Sequence, residues 1–372
     1  MKNKDKIAIS AINFFEGGPL SVLKDCLKTV NDSELTSNYS FVALVHKKEL
    51  FDQAVYTNIE FVELPKSRSS YAFRLYYEYV YFKDFAKRNN IKFWLSLHDM
   101  SPSIGDIPQA VYCHNPSPFN TINGKDIYIQ PAQFFFRLFY KFLYKINIKQ
   151  NKFVIVQQLW MKNKFIEMFD LDNNKIIVAP PEISAIPQEF LDYKSAEEKK
   201  NTTFFFPTFP RPFKNIELIC KAAKIVQMQN PNFKIIITID GSENNYSSSV
   251  YKQYSAIENI EFIGLIERTK VYELYSKSDC LLFPSKLETW GLPISEFKQF
   301  NKVIFASNLP YAKEAVGEYD KISFFDPNDA NELAKLMLGF LNENIIYDKN
   351  STIKYDDLYV QGWNNLFNLL LK

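Results

Sequence analysis

Residues 285–297, "SKLETWGLPISEF", hold two glutamates, Glu288 and Glu296, on either side of a Gly-Leu-Pro turn. Pro293 suits the first turn of a helix, because its missing N–H would have no partner there. We therefore predict a strand over 279–283, a loop that carries Glu288, and a helix that begins near Pro293. Free amides at a helix start favour a phosphate, and an ionised carboxylate accepts hydrogen bonds from sugar hydroxyls. The spacing alone also fits two solvated acids on a helix surface.

The composition is that of a globular protein with an uneven charge. Of the 372 residues, 47% are hydrophobic and 16% aromatic, and the length predicts two or three domains. A formal net charge of +2 argues against a general nucleic-acid binder. Residues 1–178 carry a net charge of +6 and residues 179–372 a net charge of −4. We therefore expect an anionic partner for the first half.

The cysteines and the N-terminal residues indicate a cytoplasmic protein. The cysteines are far apart and form no C-x-x-C pair, which predicts buried thiols in a reducing compartment rather than metal ligands or disulfides: Cys26, Cys113, Cys220 and Cys280. The first residues run straight into a strand at 7–12 that is too short for a signal peptide core. No run of about 18 uncharged apolar residues occurs that could span a membrane.

Strand patterns alternate with helix patterns along the whole chain, which predicts an α/β protein with parallel sheets. The predicted strands are 7–12, 41–45, 92–97, 109–113, 152–156, 175–178, 203–206, 234–239, 260–263, 279–283 and 303–306. The predicted helices are 21–29, 71–88, 133–144, 215–229, 269–276 and 331–341. The double proline at 180–181 marks a boundary, because neither element continues through it.

This alternation predicts two doubly wound, Rossmann-like domains that face a central cleft, with ligands at the carboxyl ends of the strands. The predicted domains span residues 1–178 and 179–350. Residues 351–372 are expected to form a C-terminal helix that packs back on the first domain.

The second half resembles the retaining glycosyltransferases of family 4, also called group 1, which have the GT-B fold. "PSKLETWGLPISE" (284–296) matches the family's proline-serine, first glutamate, aromatic-Gly-Leu-Pro turn and second glutamate. The resemblance continues upstream through "IEFIGLIERTKVYELYSKSDCLLFPS" (260–285) and downstream through "NKVIFASNLPYAKEAVGEYDKISFFDPND" (301–329). Together these stretches cover nearly all of the predicted second domain.

The resemblance implies a role for each matching residue. Glu288 would lie by the hydroxyls of the donor sugar, and Glu296 would bind the ribose. The diphosphate would meet the amides around Gly291 and Leu292. Further donor contacts are expected from Gly264 and from Trp290, where the family usually has a smaller aromatic residue.

A basic pair precedes the helix predicted at 215–229. In "FPTFPRPFKNIELICKAAK" (206–224), Arg211 and Lys214 match the family's arginine and lysine, which neutralise the diphosphate. Two fixed cations stabilise the charge that builds as the glycosidic bond breaks. Without the glutamate motif, this stretch would fit an ordinary basic loop.

Two further matches lie in the first half. In "NFFEGGPLSVLKD" (13–25), Gly17 and Gly18 let the backbone approach a ligand, and the resemblance implies contacts with the diphosphate and acceptor. By itself a Gly-Gly pair is usually only a turn. The resemblance places His114, in "VYCHNPSPF", next to the reacting sugar carbon. It would place His98 and Asp99 on the acceptor side.

The activity implied is that of a metal-independent, retaining hexosyltransferase. The donor, a nucleotide-diphosphate sugar, would be a substrate rather than a cofactor, and the acceptor a carbohydrate, lipid-linked or free. Synthesis of bacterial surface polysaccharide, O-antigen or lipopolysaccharide is the expected setting. The D-x-D at 170–172 is rejected as a metal site, because it lies away from the other groups. Two alternatives stay open: another GT-B enzyme such as a nucleotide-sugar epimerase, and a non-catalytic subunit that binds sugar nucleotide.

Basic residues recur at every fourth position of "QFFFRLFYKFLYKINIKQNK" (133–152), namely Arg137, Lys141, Lys145 and Lys149. Aromatic residues surround them, and a basic stripe beside aromatic bulk is typical of a helix that meets anionic lipid. This pattern predicts peripheral contact with the inner face of the membrane. A helix with buried aromatics and solvated lysines fits it equally well.

Overall fold

The computed structural model describes residues 4–119, 139–193, 201–355 and 358–372. The chain divides into two compact α/β units, the first comprising Met1–Glu182 with Tyr355–Lys372 and the second Ile183–Lys354. The first part of the first unit ends at Glu182, and the second unit ends at Lys354. The sequence predicted these two domain boundaries at 178 and 350.

The first unit is built on a parallel sheet of seven strands within the described residues, in the order β3-β2-β1-β4-β5-β6-β7. The strands are β1 (Asp5–Ala11), β2 (Tyr39–Val45), β3 (Ile59–Glu63), β4 (Ile91–Ser96), β5 (Gln109–Cys113), β6 (Phe153–Val156) and β7 (Ile176–Val178). Every residue of β5 is buried, as expected for a strand covered by helices on both faces.

The second unit is built on a parallel sheet of six described strands in the order β10-β9-β8-β11-β12-β13. The strands are β8 (Thr202–Phe206), β9 (Phe233–Ile237), β10 (Ile260–Phe262), β11 (Cys280–Phe283), β12 (Val303–Ser307) and β13 (Ile322–Phe325). The doubly wound α/β class predicted from the sequence is thereby confirmed for each unit.

Each strand order reverses once, between β1 and β4 in the first sheet and between β8 and β11 in the second. Loops that leave two neighbouring strands in opposite directions open a crevice at their carboxyl ends, where ligands of this fold class bind. The loop after β1 leads to Gly17 at the start of the helix Gly17–Asp32, and the loops after β8 and β11 carry Lys214 and Glu288. These residues therefore lie at the switch points of their own sheets.

The helices cover both faces of each sheet. In the first unit they are Gly17–Asp32, Leu35–Asn38, Tyr71–Tyr76, a π-helical stretch Tyr77–Tyr81, Phe82–Arg88, residues 139–145, Leu159–Phe169 and Trp363–Leu370. In the second unit they are Gln188–Leu191, Ile216–Gln227, Asn245–Tyr254, Arg268–Lys277, Leu292–Lys298, Pro310–Val316 and Ala330–Leu341. The helix predicted over 71–88 thus contains a π-helical stretch, and of the helix predicted over 133–144 residues 133–138 lie outside the described residues.

Several elements were not predicted, among them β3, β13 and the helices Asn245–Tyr254 and Pro310–Val316. The helix Asn245–Tyr254 begins with a capping box, in which Asn244 accepts from the Ser247 amide and Ser247 accepts from the Asn244 amide. Polar residues dominate its sequence, "NYSSSVYKQY", so it lacks the apolar period on which helix prediction depends.

The C-terminal helix Trp363–Leu370 packs in the core of the first unit. Trp363, Leu366 and Phe367 are buried with Cys26 and other residues of the helix Gly17–Asp32. Just before this helix, Val360 donates its amide to the carbonyl of Val178 at the end of β7. All four cysteines are buried and free, and burial raises the pKa of each thiol.

Candidate active site

The loop after β11 and the helix that follows it form the first wall of the candidate site. Gly291 has φ +95°, a left-handed conformation that favours glycine, and it precedes the helix Leu292–Lys298 with Pro293 in its first turn. This is the strand, loop and helix that residues 285–297 predicted. Trp290 is buried, and its indole donates to Ser295 Oγ over 2.9 Å. The structure therefore gives Trp290 a bracing role in the turn, and its contact with a donor stays a prediction.

Lys214 and Glu288 meet at the switch point of the second sheet. Lys214 Nζ lies 2.5 Å from Glu288 Oε1, and the two side chains are 18% and 13% exposed. Asn215, which sequence reasoning missed, holds the two loops together: its side-chain amide donates to the carbonyls of Pro284 (3.1 Å) and Pro327 (2.8 Å). Its backbone is left-handed with φ +59°, a conformation in which asparagine is enriched.

Arg211 directly precedes the turn Pro212–Lys214, which ends at the lysine of this pair. Its guanidinium stands over the Phe209 ring at 5.0 Å from the centroid, and no carboxylate of the described residues forms an ion pair with it. Lys214 is therefore the neutralised cation of the two, and Arg211 the one available to an anion.

Glu296 is a buried carboxylate with two partners. Arg268 Nη2 donates to its Oε1 over 2.8 Å, and the Tyr275 hydroxyl donates to its Oε2 over 3.1 Å. Burial raises the pKa of Glu296, while Arg268 and Tyr275 partly offset that rise. Arg268 was not predicted as a site residue, although it lies in the matched stretch 260–285.

A cavity of about 380 Å³ connects these groups within the second unit, a volume within the range of small-molecule sites. Lys214, Arg268 and Glu296 supply its charges. Its walls are mainly apolar, with contributions from Pro207, Phe209, Leu265, Ile266, Val271, Leu292 and Pro293. Gly264 is not among the lining residues. It has φ +72°, a backbone conformation that side chains other than glycine rarely adopt, so glycine is favoured at this turn before Leu265.

In the first unit, the loop after β1 approaches His114. Gly17 has φ +63°, and added Cβ atoms at Gly17 or Gly18 would meet nothing within 4 Å, so space is open above this turn. The Phe14 ring of the same loop lies 5.1 Å from the His114 imidazole, centroid to centroid. The loop after β1 therefore contacts His114 through Phe14, while contacts of Gly17, Gly18 and His114 with a ligand stay predictions.

His98 does not line a surface. Its ring is fully buried, its Nδ1 lies 3.0 Å from the Ser10 carbonyl, and its Nε2 contacts the Glu78 carboxylate. Arg74 donates to the His98 carbonyl over 3.1 Å. The expectation that His98 lines the acceptor side is therefore wrong in this structure, because both ring nitrogens are occupied inside the core. Asp99 is buried as well, at 6% exposure.

The D-x-D residues have local structural roles. Asp170 ends the helix Leu159–Phe169 with φ +51° and pairs with Lys149 at 2.8 Å. Asp172 accepts from the Asn174 amide at the start of the next turn. Within the described part of the chain, no group of three His, Cys, Asp or Glu side chains could hold a metal ion.

The predicted basic stripe is interrupted. Arg137 lies outside the described residues, and Lys141 and Lys145 are exposed on the helix 139–145. Lys149 lies beyond that helix, on the 3-10 turn Ile148–Gln150, because Asn147 ends the helical path with φ +58°. The prediction that Lys149 belongs to a single helical stripe is therefore wrong. Among the helices that the structure describes, none is long and apolar enough to cross a membrane.

Two α/β units, each built on a parallel sheet, are the architecture of the GT-B fold. Residues 187–356 match the family glycosyl transferases group 1. This match covers nearly all of the second unit, Ile183–Lys354. The resemblance seen in the sequence is confirmed at that level, and the assignment to family 4 stays a prediction.

Solved structures confirm the fold. A glycosyltransferase from Rickettsia africae ESF-5 is 15% identical with a TM-score of 0.65, over 91% of this chain and 89% of that one. WaaG, a glycosyltransferase involved in lipopolysaccharide biosynthesis, is 12% identical with a TM-score of 0.65, over 90% of each chain. HepE of Anabaena, solved in complex with UDP and glucose, is 13% identical with a TM-score of 0.62, over 91% of this chain and 90% of that one.

Among curated proteins, the O-antigen chain mannosyltransferase RfbU of Salmonella typhimurium is 24% identical over 232 residues, which are 60% of this chain and 62% of RfbU. An uncharacterized 41.2 kDa protein in the cps region of Klebsiella pneumoniae is 21% identical over 55% of this chain and 57% of its own. The chain spans about three fifths of the length of these curated relatives.

Proposed function

We propose that this protein is a retaining, metal-independent glycosyltransferase that moves a sugar from a nucleotide-diphosphate donor to a carbohydrate acceptor. The observation that carries the proposal is the Lys214–Glu288 pair at the second switch point, beside the cavity that holds Arg268 and Glu296. Those groups match the parts of a sugar nucleotide. The carboxylates can accept hydrogen bonds from sugar hydroxyls, the cations can bind the diphosphate, and the apolar walls of the cavity can hold the base.

The roles of the two glutamates follow from their surroundings. Glu296 lines the cavity. Its carboxylate would accept hydrogen bonds from ribose hydroxyls once Arg268 no longer donates to Oε1. Glu288 lies outside the lining of that cavity but shares Lys214 with it, so it would meet the transferred sugar. When the donor enters, Lys214 would turn from the Glu288 carboxylate toward the diphosphate. Glu288 would then be released to accept hydrogen bonds from the sugar.

The proposed chemistry requires no protein nucleophile. As the glycosidic bond lengthens, Arg211 and Lys214 stabilise negative charge on the departing phosphate. An oxygen of that phosphate takes the proton of the acceptor hydroxyl on the same face of the sugar, and the new bond forms there, so the anomeric configuration is retained. His114 is assigned to the transferred sugar by the family resemblance.

The setting that we propose is synthesis of a bacterial surface polysaccharide. The support comes from the relatives: RfbU is named an O-antigen chain mannosyltransferase, and WaaG is described as involved in lipopolysaccharide biosynthesis. Among solved structures, HepE in complex with UDP and glucose supports a nucleotide-sugar donor. Buried free thiols agree with a cytoplasmic location.

Peripheral contact with an anionic membrane belongs to the same proposal. On the helix 139–145, Phe139 and Phe142 are 56% and 58% exposed, and Lys141 and Lys145 are exposed as well. Apolar bulk beside lysines suits the boundary of a bilayer with anionic head groups. A lipid-linked acceptor would explain why the acceptor-side unit carries this surface.

A second exposed apolar stripe lies in the same unit, formed by Phe73, Tyr76 and Val80 at helical spacing. The intervening residues Leu75 and Tyr79 pack against the hydrophobic cluster that contains Tyr140, so the two helical segments share a core. We assign this stripe to the same proposed membrane contact because it too exposes apolar side chains in the first unit.

Thermal unfolding in the presence of a panel of nucleoside diphosphates and nucleotide sugars tests the donor assignment. Binding to the folded state raises stability by RT ln(1 + [L]/Kd), so a ligand at 100 times its Kd adds about 2.7 kcal/mol. A stabilising nucleotide sugar is then supplied with and without carbohydrate acceptors. Transfer supports the proposal, epimerisation without acceptor indicates the epimerase alternative, and binding without turnover indicates a non-catalytic subunit.

A further inference from the structure

Two prolines restrict the backbone on either side of Arg211. Pro212 disfavours a helical conformation of the residue before it, and Arg211 is accordingly extended, with φ −143° and ψ 148°. Neither Pro210 nor Pro212 has an N–H group, so neither can donate a backbone hydrogen bond. The hydrogen bonds that hold this stretch, which we call the β8 loop (residues 207–214), therefore depend on its carbonyl groups and its other amides.

Side chains of the loop after β9 hold the β8 loop at two points. The Thr238 hydroxyl accepts from the Thr208 amide over 2.7 Å and donates to the Thr208 carbonyl over 2.9 Å. Further along the β8 loop, the Asn244 side-chain amide donates to the carbonyl of Pro210 over 2.9 Å. This second contact therefore lies directly before Arg211, the cation that is available to an anion.

Asn244 uses both polar atoms of its side chain. Its Oδ1 accepts from the Ser247 amide over 3.0 Å and so caps the helix Asn245–Tyr254, while its Nδ2 donates to Pro210. Aspartate and serine cap a helix about as well as asparagine does. An ionised aspartate carries only acceptors, however, and serine has a single polar atom, which the cap already uses. The contact with Pro210 is therefore what distinguishes asparagine from the other good caps at this position.

The Asn244 bond acts on the peptide group that leads into Arg211. The Pro210 carbonyl belongs to the planar peptide between Pro210 and Arg211, so holding its oxygen fixes the direction in which the chain enters Arg211. On the other side of Pro210, Phe209 lines the cavity, and the Arg211 guanidinium stands over its ring at 5.0 Å from the centroid. Asn244 is not itself a lining residue, so it can influence the cavity only through these neighbours.

We propose that Asn244 is a positioning residue: it anchors the peptide between Pro210 and Arg211 to the start of the helix Asn245–Tyr254, so that Arg211 is already placed for a diphosphate before a ligand enters. A cation that is held in place loses less conformational freedom on binding than one on a mobile loop, and this raises affinity. The anchoring stands on the hydrogen bonds, whereas the diphosphate partner of Arg211 rests on the proposed function.

Hydrogen–deuterium exchange, followed by mass spectrometry of peptides that cover the β8 loop, tests the anchoring without any ligand. Asn244→Asp and Asn244→Ser both keep a helix cap, so both should fold and should unfold thermally close to the wild type. Both lose the bond to Pro210, which should speed exchange in the β8 loop by about fivefold. Unchanged exchange in both variants would overturn the proposal.

Asn259→Asp is the matched control. Asn259 also donates its side-chain amide to a proline carbonyl, that of Pro231 over 2.8 Å, but it precedes β10 and so lies at the opposite edge of the same sheet. Ser247→Ala is a second control, because it removes the hydroxyl that accepts from the Asn244 backbone amide and weakens the cap while Asn244 remains. If either control changed exchange in the β8 loop as much as the Asn244 variants do, the proposal would be wrong.

Calorimetry with inorganic pyrophosphate, a probe that has neither base nor sugar, tests the link to Arg211. Both Asn244 variants should bind pyrophosphate about fivefold more weakly than the wild type, and Asn259→Asp should bind it like the wild type. If Asn244 acts through Arg211, adding Asn244→Ser to Arg211→Gln should cost no further affinity, because residues that act through one contact are not additive. Additive losses would contradict a role for Asn244 in placing Arg211.

The two measurements separate this inference from the proposed function. A wild-type protein that binds neither pyrophosphate nor any nucleotide of the panel would reject the proposed function, and exchange in the β8 loop would still decide the anchoring. Normal pyrophosphate affinity in Asn244 variants whose β8 loop exchanges faster would reject the placement of Arg211 by Asn244.

Discussion

Lys214 and Glu288 form an ion pair, with Lys214 Nζ 2.5 Å from Glu288 Oε1, between residues that are 74 positions apart in the sequence. The pair joins the loops after β8 and β11, which leave neighbouring strands in opposite directions along the sheet. Both side chains are mostly buried, so removing one partner would leave the other charge poorly compensated. We therefore expect each to stabilise the other before the donor binds and to separate when it does.

Glu288→Gln should reduce transfer by about 100- to 1000-fold, the usual cost of removing one group that stabilises a transition state. The amide keeps the shape of the side chain but loses the negative charge that faces Lys214 and the sugar hydroxyls. Binding of the free nucleoside diphosphate should stay measurable by calorimetry, because Glu288 does not line the cavity.

The matched control for this substitution is Glu261→Gln. Glu261 forms an ion pair with Lys234 on the same unit, with both side chains about half exposed. It should bind and turn over like the wild type. Transfer at the wild-type rate by Glu288→Gln would show that Glu288 does not act in the site.

Glu296→Ala should weaken binding of the nucleoside diphosphate by about tenfold or more, because a hydrogen bond to a charged group contributes about 1.5–3 kcal/mol. The variant also leaves Arg268 without its carboxylate, so Arg268→Gln serves as the comparison. If Glu296 binds ribose, Arg268→Gln should retain more affinity than Glu296→Ala. Equal affinity in Glu296→Ala and the wild type would contradict the assignment.

The raised pKa of Glu296 predicts a pH dependence of both binding and stability. As the pH falls through that raised pKa, the carboxyl becomes protonated and accepts fewer bonds from ribose, so affinity should decline at a higher pH than an ordinary glutamate would produce. For stability the sign is opposite: the folded state binds the proton more tightly than the unfolded state, so this group's contribution falls as the pH rises from the unfolded pKa through the folded one. Glu296→Gln should abolish both effects in calorimetry and thermal unfolding over a pH series.

Transfer should retain the anomeric configuration of the donor and should persist in excess chelator. The reasons are the proposed same-face proton transfer and the positions of Arg211 and Lys214, which supply positive charge for the leaving diphosphate. Product analysis by NMR, on samples treated with chelator and with added divalent ions, measures both properties. An inverted product, or activity that chelation removes and a divalent ion restores, would contradict this prediction.

Motif spacing predicted the local parts of the site and missed the long-range ones. The strand-loop-helix around Glu288 could be predicted, because Gly291 and Pro293 each restrict the backbone in a known way. The pairing of Arg268 with Glu296 could not be predicted. The two residues are 28 positions apart in the sequence, and they meet only when the elements that carry them pack together. The only indication in the sequence that Arg268 belongs to the site was its position just before the helix predicted at 269–276, in the stretch that resembles the family.

The first unit shows the same limit. His98 and Asp99 are adjacent and follow β4, and nothing in the sequence distinguishes which of them faces inward. In the structure both are buried, because Glu78 and Ser10 occupy the ring of His98 while two tyrosines and two amides occupy Asp99. These partners come from four separate segments, around positions 10, 78, 114–115 and 140–144, which meet only in the folded unit.

The membrane proposal predicts that anionic vesicles bind the protein through the helix 139–145. Each lysine near an anionic surface contributes about 1 kcal/mol, so Lys141→Gln/Lys145→Gln should weaken binding by roughly 30-fold at low salt. Phe139→Ser/Phe142→Ser should weaken it as well, by removing apolar area from the head-group boundary. Co-sedimentation with vesicles that contain phosphatidylserine, against purely zwitterionic vesicles, measures both effects.

The matched control is Lys221→Gln/Lys335→Gln, which removes two exposed helix lysines from the second unit and should bind like the wild type. Equal binding to both kinds of vesicle, or no loss in the Lys141/Lys145 variant, would make this helix an ordinary solvated one, with Tyr140, Leu143 and Tyr144 in the core and its lysines in water.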